Sequence, residues 1–91
     1  MKYVLVGTLN AEWIGKQKQR TKAARAKARS LGVKIESVYY TQGIHDFVDV
    51  VEAEPESILA FSLWYAKQGY GRITTLPAFD EAAMEKADKS A

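Results

Sequence analysis

The 91-residue chain has no cysteine and a single histidine, His45. The first absence removes disulfides, thiolate metal sites and cysteine nucleophiles. The second removes any multi-histidine metal centre within one chain. No apolar run approaches the roughly 20 residues of a membrane span. The opening segment, Met1 to Gly7, is too short and too lightly charged for a secretory signal, so a cytoplasmic protein with no membrane partner is expected. No internal repeat, linker or low-complexity segment breaks the chain. Nothing matches a Walker or dinucleotide fingerprint, and no cofactor is expected. Gly69-Tyr70-Gly71 follows a helical stretch instead of opening one, so it reads as a helix stop and turn. The serines, Ser30, Ser37, Ser57, Ser62 and Ser90, lack a nucleophile-elbow context. No residue set compels a specific reaction.

What remains is one small domain, residues 1–91. Hydrophobic residues at 47% and charged residues at 26% suffice for a single core without staples. Net charge is +2 but unevenly placed. Residues 1–34 carry nine Lys/Arg against one acid, while residues 35–91 carry four against ten. Such a split points to a polyanion-binding face or to complementary faces that meet within or between subunits.

Lys2–Leu9 is apolar and β-branched with little alternation, as in a central strand covered on both sides. Thr8 and Asn10 offer caps to a helix expected over Glu12–Leu31. Helical spacing places Trp13, Gln17, Ala24, Ala28 and Leu31 on an inner stripe, with Lys18, Lys22, Arg25 and Arg29 on another face. Gly32 supplies the stop. Val33–Thr41 and Ile44–Ala53 read as a hairpin turned by Gln42-Gly43. In the first of these strands, Val33, Ile35, Ser37 and Tyr39 alternate against Lys34, Glu36, Val38 and Tyr40.

Pro55 opens a second helix that runs to about Gln68. Its inner stripe is Ile58, Phe61, Ser62 and Tyr65, and Leu59, Leu63 and Trp64 spread apolar surface further round. Gly71–Phe79 is a fourth strand, marked as an edge by Pro77. Asp80 caps a short tail helix from Glu81 to about Lys89. The order β-α-β-β-α-β with a C-terminal helix is the α+β, ferredoxin-like pattern. Its strands carry apolar residues on both sides, so the face without helices needs a cover. A second subunit is the simplest one, giving a homodimer through the sheet face. Leu63 and Trp64 motivate a possible higher oligomer.

The stretch Tyr39-Tyr40-Thr41-Gln42-Gly43-Ile44-His45-Asp46, followed by an apolar strand ending Glu52-Ala53, resembles the hairpin signature of the GYD domain family. The opening KYVLVGTLN and the ITTLPAF segment resemble that family's first and last strands. His45 stands where the family usually has tyrosine. The resemblance implies a small bacterial or archaeal protein with a ferredoxin-like fold, similar to dimeric α/β-barrel proteins; it implies an architecture and little about activity.

Several residues are candidates for a site. His45 with Asp46 could perform acid/base chemistry at neutral pH. Equally, Asp46 could tie down the hairpin through backbone N–H groups. Tyr39, Tyr40, Trp13, Trp64 and Tyr65 could line a pocket for a small apolar or aromatic ligand, with Gly43 in the adjoining turn, or could serve packing alone. Asp49, mid-strand among apolar neighbours, must be paired or solvated. It could meet a basic residue of the first helix or of a partner chain, or line a polar cavity. The stripe Lys18/Lys22/Arg25/Arg29 is a nucleic-acid candidate, although the sheet lacks the aromatic motifs of an RNA-recognition fold. Three readings follow: a non-enzymatic oligomeric binding or interaction module, a cofactor-free enzyme using His45 with Asp46 or Asp49, and, least favoured, a nucleic-acid binder.

Overall fold

A computed structural model describes residues 1–91. Four strands, β1 (Lys2–Leu9), β2 (Lys34–Tyr40), β3 (Phe47–Glu52) and β4 (Gly71–Pro77), form one antiparallel sheet in the order β2-β3-β1-β4. Helices α1 (Gln17–Leu31) and α2 (Pro55–Lys67) lie on one face, and α3 (Glu81–Ser90) follows β4. This is the ferredoxin-like α+β arrangement, with β4 at an edge as Pro77 suggested.

The helix-covered face is built from alternate residues. Tyr3 and Leu5 of β1 stand beside Val51 and Asp49 of β3, and Phe47 pairs with Gly7. Tyr3, Leu5 and Val51 meet Ala28 of α1 and Ile58 and Phe61 of α2 in the main core. Gly7 is required there, because a Cβ would overlap the Phe47 ring lying across it. Phe47, Tyr65 and Tyr70 form a second buried cluster, with Trp13 and Trp64 packed against it.

Five features differ from the sequence-based expectations, the last of them in β2. The first helix does not run unbroken from Glu12: a 3-10 turn spans Ala11–Trp13, Gly15 adopts φ 88°, and α1 starts at Gln17. Asn10 does not cap with its side chain; its amide donates to the Gly69 carbonyl at 2.8 Å. On the inner stripe of α1, Gln17 is exposed and Arg20 is buried in its place. Strand β3 begins at Phe47, so residues 41–46 are a loop.

The alternation predicted for β2 fails at a bulge between Ile35 and Ser37. The extra residue shifts the pleat by one. Ile35, Val38 and Tyr40 therefore all share the helix-covered face with Val51, Asp49 and Phe47. The bulged Glu36 accepts a hydrogen bond from Lys2 Nζ at 2.6 Å. The opposite face carries Val4, Val6, Val48 and Val50, flanked by Leu76 and Tyr39.

Asp80 caps α3 by accepting from the Ala83 N–H at 2.8 Å. No residue of α3 is buried, and Phe79 and Met84 are exposed. The radius of gyration, 14.3 Å, exceeds the value of about 12 Å for a compact chain of this length. A projecting α3 accounts for the excess.

Candidate functional site

Arg20 enters the interior because its position lies on the apolar stripe of α1, three residues after Gln17 and four before Ala24. Only 4% of its surface is exposed. One guanidinium nitrogen, Nη1, donates to the Tyr65 hydroxyl at 3.0 Å. The guanidinium also lies 5.5 Å from the centre of the Phe47 ring, within cation–π range. Its Nε has no hydrogen-bond partner. A buried donor left so costs about 1–3 kcal/mol, which makes its persistence informative.

Asp49 faces the same space from β3. Its cross-strand neighbours are Leu5 and Val38, both apolar. Its Oδ1 is buried and also lacks a partner. Arg20 and Asp49 form no direct ion pair. Burial pushes the Asp49 carboxyl up to about 6, and the positive charges of Arg20 and Arg25 only partly oppose that. Burial likewise raises the Tyr65 phenol, again against the Arg20 charge.

Arg20, Asp49, Tyr65, Phe47, Phe61, Ile35, Val38 and Tyr40 line one cleft between α1, α2 and the sheet. The cleft volume is about 30 Å³, room for a hydroxyl, a carbonyl or a water. Its lining is mostly apolar and includes the two residues, Arg20 and Asp49, that carry the unpaired donor and the unpaired acceptor. A second, wider groove of about 230 Å³ lies between α1 and β2. It is lined by Arg25, Ala28, Arg29, Val33 and Ile35, and it shares Arg25 and Ile35 with the cleft.

The residues singled out in the sequence are dispersed. Asp49, Tyr40 and Tyr65 line the cleft. Tyr39 is exposed on the opposite face of the sheet, paired with Val48. Gly43 and His45 lie in the exposed 41–46 loop, where the His45 carbonyl accepts from the Thr41 hydroxyl at 2.8 Å. Asp46 accepts the Leu9 N–H at 2.6 Å, its own N–H donates to the Gly7 carbonyl, and its carbonyl accepts from Thr41 N–H. These bonds fasten the hairpin to β1. Trp13 stacks edge-on against Tyr70 with centroids 4.5 Å apart, and Trp64 packs on both Phe61 and Tyr70. The stripe Lys18, Lys22, Arg25 and Arg29 is exposed.

Arg20 was not recognised from sequence. The available signal is a charged residue at a position that helical spacing places on an otherwise apolar stripe. No cluster of acidic, histidine or cysteine residues could hold a metal ion. No helix is long and apolar enough to cross a membrane. No curated protein sequence matches the chain. Residues 3–87 match the model of the GYD domain, and with nearly the whole chain covered, the protein belongs to that family.

Proposed function

We propose that the protein is a small-molecule-binding module whose ligand inserts a polar group between Arg20 and Asp49. The observation that carries this reading is that Arg20 and Asp49, which line one mostly apolar cleft, each carry a buried atom without a partner, Arg20 Nε and Asp49 Oδ1. A ligand group with one acceptor and one donor would satisfy both. A ligand-observed NMR screen of small hydroxylated and amide fragments tests it. Binding should be abolished or strongly reduced by Arg20→Met and by Asp49→Asn, with each variant's fold checked by its amide spectrum. Fragments that bind the variants as well as the native protein would contradict it.

The module acts as a homodimer in this proposal. Val4, Val6, Val48 and Val50 form an apolar patch on the sheet face that no helix covers, and α3 buries none of its own residues. A ten-residue helix gains little stability alone in water, so α3 needs a docking surface. A second copy supplies what both features need, since each chain carries the open sheet and the unpacked helix.

One observation favours an alternative, cofactor-free proton transfer. A carboxyl held near 6 in a partly apolar cleft is suited to accept a proton at neutral pH. That property belongs to Asp49, whereas His45 lies in the exposed loop. Once a substrate is found, Asp49→Asn should abolish turnover and His45→Ala should leave it nearly unchanged; the reverse pattern would return the acid/base role to His45.

A further inference from the structure

We infer that the ligand is a small organic acid, whose carboxylate is held by Arg25 and Arg29 in the groove between α1 and β2 while its hydroxyl or carbonyl end reaches Arg20 and Asp49. This rests on the binding role proposed for the cleft and adds the chemical class of what it binds.

Three observations lead to it. The groove and the cleft adjoin, because Arg25 and Ile35 line both. The groove has the larger volume, about 230 Å³, while the cleft admits only the tip of a ligand. The adjoining groove offers room for the bulk of a molecule whose tip reaches Arg20 and Asp49. There the apolar floor is Ala28, Val33 and Ile35, and the only polar residues are the two arginines.

Arg25 and Arg29 stand four residues apart on α1, one turn along the same helix face. Neither forms an ion pair or a side-chain hydrogen bond, so both guanidinium groups are free to bind an anion. No acid lines the groove. Charge-assisted hydrogen bonds from guanidinium to carboxylate are stronger than neutral ones and favour planar, bidentate recognition. At the other end, the unpaired Arg20 Nε needs an acceptor and the unpaired Asp49 Oδ1 needs a donor. A hydroxyl supplies both, and a carbonyl satisfies Arg20 when the Asp49 carboxyl is protonated.

The test uses 4-hydroxybenzoate and its neutral counterpart 4-hydroxybenzamide as probes at matched ionic strength. Affinities come from calorimetry, and the side-chain Nε–H resonance of Arg20 reports on the cleft. The acid should bind roughly tenfold more tightly than the amide and shift the Arg20 resonance. That preference should vanish in the Arg25→Gln/Arg29→Gln double variant, whose substitutions are on an exposed face and leave the core intact. Equal affinity for acid and amide would overturn the inference and leave the cleft reading standing. So would a preference for the acid that survives the double variant. If neither probe moves the Arg20 resonance, the inference falls. The cleft reading falls with it only if the wider fragment screen also leaves that resonance unmoved.

Discussion

Asp49 is the residue whose environment is most at odds with its charge. In the unfolded chain its carboxyl titrates near 3.8, and in the folded protein burial holds it at about 6. Between those values the native state keeps a proton that the unfolded state releases. Folding stability contributed by this group is therefore fully present below about 4 and is lost as pH rises to about 6. A shift of that size corresponds to at most about 3 kcal/mol, reduced by solvent screening because the carboxylate is not wholly enclosed. Asp49→Asn should flatten the difference in stability between pH 4 and pH 6, measured by chemical denaturation against the native protein. An unchanged slope would place the responsible group elsewhere. Arg20 acts on the same carboxyl from the other side. Removing its charge in Arg20→Met should raise the Asp49 titration further, read by carbon NMR of the carboxyl, because Arg20 is the largest opposing charge. A fall would show that Arg20 does not face Asp49 electrostatically.

At the scale of elements, α2 joins the two buried clusters, with Ile58 and Phe61 in one and Tyr65 in the other. Phe61→Ala should cost about 3–5 kcal/mol in urea unfolding. Leu63→Ala, at a position 57% exposed, should cost no more than about 0.5 kcal/mol if the helix is uncovered in the assembly. A larger loss at Leu63 would show that a partner covers it. The element order and the edge position of β4 were legible in the sequence because they rest on periodicity, proline and glycine placement, and the Asp80 cap. The face assignment in β2 was not. A bulge at Glu36 leaves no mark in a strand of mixed residues, yet it moves Val38 and Tyr40 to the helix side. The site was half legible. Asp49 stood out as a carboxylate between valines and a phenylalanine. Arg20 did not, because its partners, Tyr65 and Phe47, lie 45 and 27 residues away and only folding brings them together.

At the scale of the whole molecule, the open valine face and the projecting α3 belong to one prediction. Native mass spectrometry should show a dimer or a multiple of dimers, and Val50→Lys should shift it to monomer without unfolding the chain. Deleting residues 79–91 should weaken the dimer while leaving the monomer's secondary structure intact, since α3 contributes nothing buried to the core. A native protein that is monomeric at micromolar concentration would contradict the assembly and leave the cleft unaffected, because the cleft opens on the opposite side of the sheet. The central claim is that Arg20 and Asp49 form one polar ligand-binding floor. Its most direct measurement is two-site NMR, following the Arg20 Nε–H and the Asp49 carboxyl carbon together as a binding fragment is added. Both resonances should move with a single binding curve. A fragment that binds saturably while both stay fixed would contradict it.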